Sequence, residues 1–119
     1  MKKKVVITGM GVVSPLGNDI NTFWKNIQEG KCGIGPVTHF DASRLDAKIA
    51  GEVKDFDPSL YMDKKDARKM ALFTQYAVAA SVQAWNDAGL KEGDYDPDTT
   101  GVILGNGIGG IEIFEESYK

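Results

Sequence analysis

Thr99-Thr100-Gly101-Val102-Ile103-Leu104-Gly105-Asn106-Gly107-Ile108-Gly109-Gly110-Ile111 is the stretch on which the reading of this chain turns. Two threonines and an apolar run predict a strand buried on both faces. Four glycines within the six residues 105–110 follow it. Glycine at that density lets another group come close to the main chain, because no Cβ stands in the way. Ile111, Ile113 and Phe114, with the acidic pair Glu115 and Glu116, then read as the first turns of a helix. Strand, glycine loop and helix is the arrangement that holds ligands outside the carboxyl ends of α/β sheets.

The spelling Gly105-Asn106-Gly107-Ile108-Gly109-Gly110 matches G-x-G-x-x-G. A dinucleotide site of that kind needs an early βαβ unit and an acidic residue on the next strand. Here neither accompanies the glycines. A tight turn with close strand–helix packing explains most of them. A third reading concerns Ile108: a branched apolar side chain held between glycines forms one wall of an apolar pocket.

Working outward, Lys4 to Val13 is a second apolar run, Val5-Val6-Ile7-Thr8-Gly9-Met10-Gly11-Val12-Val13, and is expected in the middle of a sheet. Gly9 and Gly11 are poor strand residues and imply close packing or a bulge. A short-chain dehydrogenase also opens with a strand and Thr-Gly, but it runs quickly into a helix, whereas here Pro15 and Gly17 intervene. Asp19 is the expected N-cap of a helix whose Ile20, Phe23, Trp24 and Ile27 share one face, with Gly30 as its stop. Residues 37–62 are irregular apart from a short edge strand expected at residues 48–53. Ala71 to Ala88 predicts the longest helix, with a stripe of Phe73, Ala77, Ala80, Ala84 and Ala88, apolar over enough of its circumference to be buried, and Gly89 as its stop. The order of strands and helices predicts parallel buried strands with right-handed helical crossovers.

Asp63 is the expected cap of a short helix in which Lys64, Lys65, Arg68 and Lys69 fall at i, i+1, i+4 and i+5. A solvated face explains such a cluster as well as a docking patch does. The rest of the chain is acidic, with 14 Lys and Arg against 17 Asp and Glu and a net charge of −3. Four cations on one face therefore stand out as a patch for an acidic partner. The same net charge argues against a general nucleic-acid binder.

Cys32 is the one cysteine, so no internal disulfide exists, and a reducing cytoplasm is the expected compartment. No base sits at a recognisable spacing from Cys32, which reads as a small residue at a helix exit. His39 reads as a structural or solvent-facing loop histidine. No metal-ligating cluster is visible and no cofactor is expected. Met1-Lys2-Lys3-Lys4 and the apolar residues after it have the look of a secretory signal, but Thr8, Gly9, Gly11 and Pro15 break it and no cleavage site follows. No stretch has the length of a membrane span. The last helix reaches Lys119 without a capping glycine, and two doubly buried strands lack covering partners, so the chain is expected to be a fragment of a larger protein.

Val5-Val6-Ile7-Thr8-Gly9-Met10-Gly11-Val12-Val13-Ser14-Pro15-Leu16-Gly17 resembles the opening of the elongating, type II β-ketoacyl-acyl carrier protein synthases. Trp24, Gly30-Lys31-Cys32-Gly33-Ile34, His39-Phe40-Asp41, Arg68-Lys69-Met70 and Gly105-Asn106-Gly107-Ile108-Gly109-Gly110 continue the resemblance in order along the whole chain. Polyketide ketosynthase domains share much of it. The resemblance implies a thiolase-like α/β fold with two similar halves, assembled as a homodimer, of which residues 1–119 are the start of the N-terminal half. It implies decarboxylative condensation of acyl groups with malonyl-acyl carrier protein, by a cysteine thiolate and two histidines whose motifs this chain does not contain. Cys32 stands where this opening usually carries serine or another small residue, and His39 is not one of the catalytic pair. By the same resemblance Ile108, with Gly107 beside it, lines the acyl pocket, and Lys64, Lys65, Arg68 and Lys69 meet the acidic carrier protein. Asn106 departs from the small residue often found in that loop. A non-catalytic ketosynthase-like subunit and a nucleotide-binding oxidoreductase fragment are the alternatives.

Overall fold

The structure, a computed structural model, describes residues 3–118. The first two residues of the signal-like start, Met1 and Lys2, lie outside the described residues, as does Lys119. The chain divides into two compact units, one of residues 12–57 and one that joins residues 1–11 to residues 58–119.

In the unit of residues 12–57, α1 (Ile20–Gln28) forms where the apolar spacing places it. Its cap is Asp19, whose Oδ1 accepts the Thr22 backbone N–H at 2.9 Å and whose Oδ2 accepts the Thr22 hydroxyl at 2.7 Å. Gly30 stops the helix with φ of 66°, a conformation that costs glycine little. The loop before α1 is fastened by side chains: Asn26 Nδ2 donates to the Leu16 carbonyl, and Asn18 Nδ2 to the Lys54 carbonyl at 2.8 Å. The expected edge strand is present as β2 (Ile49–Ala50), antiparallel to β1 (Gly35–Pro36) in a region whose sequence signals only a turn.

In the other unit, a 3-10 turn (Pro58–Leu60) leads into α2 (Lys64–Ala67), then α3 (Leu72–Asp87) and α4 (Ile111–Tyr118). Gly89 ends α3 with φ of 67°. The alanine stripe of α3 receives the glycines of the first apolar run. A Cβ on Gly9 would meet the backbone and side chain of α3 at Ala84 and Ala88, and a Cβ on Gly11 would meet Ala80 and Gln83. Two expectations, small residues on the helix and glycines in the run, thus describe one close approach. The Met10 N–H donates to Asp87 Oδ2 at 2.9 Å and holds it. The loop after α3 is pinned by Tyr95, whose ring meets Trp85 edge to face with centroids 5.3 Å apart.

The described residues leave one expectation, the parallel sheet, without support and correct another. Val5–Ile7 and Val102–Leu104 do not pair in a ladder among the described residues; Val5 is 94% and Ile103 96% exposed. A doubly buried strand needs neighbours on both edges and cover on both faces, and these residues provide neither. Among the described residues the ladder is the antiparallel pair β1–β2, and no parallel pair forms. The correction concerns α3, which is half-buried: Ala79 is fully enclosed, but Leu72, Phe73 and Trp85 remain exposed. Residues 9–11 cover one side of it only.

Candidate functional site

The basic cluster forms where the sequence places it, on a turn shorter than expected. α2 ends at Ala67, and Arg68 is its C-cap, with its N–H on the Lys64 and Asp66 carbonyls. Lys64 and Arg68, four residues apart, line one cleft of about 290 Å³ together with Pro58, Ala67 and Gln75. Lys69 follows in a tighter turn, its N–H 3.0 Å from the Asp66 carbonyl. All four cations are exposed, and among the described residues none has an ion-pair partner. Asp63 and Asp66 share the stretch, so its local charge is positive but not unrelieved. Exposed cations on a fixed backbone attract an acidic surface at long range while adding little to stability.

Sequence reasoning missed the residues that hold this turn. Gln75 Nε2 donates to the Ala67 carbonyl at 2.9 Å and the Met70 carbonyl at 3.0 Å. Gln83 Nε2 donates to the Tyr61 hydroxyl at 3.1 Å. Their signal in the sequence is a pair of glutamines, eight residues apart, on a helix made mostly of small and apolar residues.

The glycine loop is open. Ile108 is 88% exposed, and nothing lies within 4 Å of where a Cβ would stand on Gly101, Gly105 or Gly107. Gly109 and Gly110 do have a neighbour, the Phe73 ring of α3. The helix expected after the loop is α4, which turns Ile111, Phe114 and Tyr118 onto an open groove. Among the described residues no wall faces the exposed Ile108.

Cys32 and His39 sit apart from both regions in sequence. Cys32 is exposed, with Sγ 3.7 Å from the Ile34 carbonyl. The Glu52 carboxylate accepts from the Thr38 hydroxyl and from the Thr38 and His39 backbone N–H groups, and lies 4.0 Å from His39 Nε2. The Thr38 hydroxyl, followed by the backbone donors, holds the Glu52 carboxyl below its ordinary value. This is a loop fastening, as the sequence implies for His39. Among the described residues no group of three or more His, Cys, Asp and Glu side chains is placed to hold a metal ion, and no helix is long and apolar enough to cross a membrane.

Comparison with known proteins identifies the family. The family model of the β-ketoacyl synthase N-terminal domain matches residues 2–119. A protein named 3-oxoacyl-[acyl-carrier-protein] synthase 2 from Vibrio harveyi is 48% identical over 99% of this chain and 28% of its own length. A protein of the same name from Synechocystis is 46% identical over 97% of the chain and 28% of its own length. Among solved structures, the ishigamide ketosynthase/chain length factor superposes with a TM-score of 0.68 at 37% identity, over 75% of this chain and 22% of that one. The chain therefore spans about 28% of the length of the curated relatives it matches. By its sequence over residues 2–119 and by the fold it shares with a solved ketosynthase, the chain belongs to the β-ketoacyl synthase family, within the N-terminal domain.

Proposed function

We propose that this chain is part of an elongating β-ketoacyl-acyl carrier protein synthase of fatty-acid type. The full-length enzyme takes an acyl group as a thioester on a cysteine. It decarboxylates malonyl-acyl carrier protein, and the resulting carbanion attacks the acyl carbonyl. The cysteine thiolate leaves as the new carbon–carbon bond forms, and a 3-oxoacyl carrier protein and carbon dioxide are released. No residue of this chain takes a catalytic role. The thiolate and the two histidines that stabilise the developing oxyanion belong to other parts of the protein.

Residues 1–119 supply the opening of the first of two similar halves in a thiolase-like homodimer, acting in the cytoplasm. Val5–Ile7 and Val102–Leu104 become central parallel strands there, which accounts for their apolar composition. Lys64, Lys65, Arg68 and Lys69 dock the carrier protein. Ile108 and Gly107 line the acyl pocket once other elements wall it.

The observation that carries this reading is the exposed cationic turn of an acidic chain, in a protein 46–48% identical to relatives whose printed name includes an acyl carrier protein. The shared name 3-oxoacyl-[acyl-carrier-protein] synthase 2 of the relatives at 46–48% identity supports the fatty-acid type over the polyketide type. The test is an assay of the full-length protein with acyl- and malonyl-carrier protein. One carbon dioxide released per 3-oxoacyl product supports the proposal. Absence of condensation, with both substrates shown to be loaded, contradicts it.

A further inference from the structure

The cationic turn is too short to hold itself. A four-residue helix is far below the length at which an isolated helix persists. Along the backbone its last carbonyls are met only by the residues just past it, Asp66 by Lys69 at 3.0 Å and Ala67 by Met70 at 3.2 Å, and Asp63 at its start makes no side-chain cap bond. The ties from outside the turn come from α3. The two N–H groups of the Gln75 amide reach the Ala67 and Met70 carbonyls, one just before Arg68 and one two residues after it. The Gln75 side chain also walls the cleft that Lys64 and Arg68 line. Two turns further along α3, Gln83 holds Tyr61 in the segment that enters the turn. Ala67 is 7% exposed, so its methyl fixes the turn against the rest of its unit.

We propose that Gln75 is a positioning residue for carrier-protein docking: its amide brackets Arg68 and fixes the direction in which Lys64 and Arg68 are presented. The proposal rests on the docking reading given above. A glutamine that merely stabilises the fold would affect every substrate alike. One that aims the cations would affect the carrier-bound substrate selectively.

The experiment uses the full-length enzyme with Gln75→Met, which keeps the length of the side chain and removes both donors. Arg68→Glu/Lys69→Glu serves as the docking reference, and each protein is assayed with a carrier-bound and a pantetheine-linked acyl substrate. The ratio of KM for the carrier-bound substrate to KM for the pantetheine substrate should rise about three- to tenfold in Gln75→Met, the effect of one or two net hydrogen bonds. Hydrogen exchange at the Lys69 and Met70 amides should quicken, while that at Ala79 should not. Gln75→Leu, which also removes both donors and adds no charge to the cleft, gives the same readout if the methionine variant does not fold. An unchanged ratio in Gln75→Met beside a raised ratio in the charge-reversed enzyme overturns the role of Gln75 and leaves docking intact. An unchanged ratio in the charge-reversed enzyme overturns docking itself, and the role of Gln75 falls with it.

Discussion

The basic turn and the glycine loop stand at opposite degrees of completion in this chain. The turn has everything its proposed task requires: four exposed cations, a buried alanine beneath them and an amide from α3 across its carbonyls. The loop has one wall and no enclosure, with Ile108 exposed and open space beside Gly105 and Gly107. The difference is one of physics. A charged patch acts through space and needs only a short stretch of fixed backbone, whereas an apolar pocket exists only where several elements close around it. A docking surface can therefore be built by one segment, and a pocket cannot.

The widest separation of the two regions is expected in the chain by itself. With no walled pocket and no catalytic motif, the purified 119-residue chain carrying Cys32→Ser should show no condensation of acyl- and malonyl-carrier protein. Any turnover would break the comparison. The same chain should aggregate or melt without a sharp transition, since Val5–Ile7 and Val102–Leu104 are uncovered. A cooperative transition from a monomer would show that these strands need no partners.

Two glycines sharpen the comparison next. Gly11 lies where a Cβ would strike the α3 backbone at Ala80, so Gly11→Val should destabilise the full-length protein by about 3 kcal/mol or more. Gly107 faces open space, so Gly107→Val should leave the melting temperature nearly unchanged while depressing turnover of acyl substrates. Equal loss of stability in both would mean that the loop glycines serve packing alone. Ile108→Phe should lower kcat/KM for long acyl primers about tenfold relative to short ones, a discrimination within reach of pocket size alone. Loss that ignores chain length would remove Ile108 from the pocket.

The smallest effect should come from α1, which belongs to neither region. Asp19→Ala should cost about 1 kcal/mol of stability as a lost helix cap and leave both kinds of substrate equally well used. The Thr22 backbone N–H, followed by its hydroxyl, holds the Asp19 carboxyl below its ordinary value. The stabilisation is thus complete above the ordinary carboxylate range and disappears as pH falls through the lowered value. The gap between parent and variant, measured by denaturation from pH 7 downward, should close below about pH 4. A gap that stays constant to lower pH would show that the cap does not depend on the charge.

Local chemistry made much of the fold legible. Asp19 with its apolar spacing, Gly30 and Gly89 as stops, and the long helix after Ala71 follow from rules that act within a few residues. The strands were legible as composition but not as pairing, because a strand is defined by neighbours and these residues offer it none. The cations could be found by spacing alone. Gln75 and Gln83 could not, since a glutamine on a helix looks the same whether it faces water or binds a distant carbonyl. Gly9 and Gly11 on one side and the alanines of α3 on the other each signalled close contact. That they contact each other became visible only in three dimensions.

Charge reversal in the full-length enzyme decides whether the cationic turn recognises an acidic carrier protein. The measurement is KM for carrier-bound acyl substrate in the Arg68→Glu/Lys69→Glu protein across a range of ionic strength, with a pantetheine-linked substrate alongside. Exposed charges are screened over about 8 to 10 Å in ordinary buffers. KM should therefore rise about tenfold at low salt and converge on the parent value as salt increases, with the pantetheine substrate used as before. Equal loss with both substrates, or a salt dependence identical to the parent's, would make Lys64, Lys65, Arg68 and Lys69 a solvated face and contradict the account.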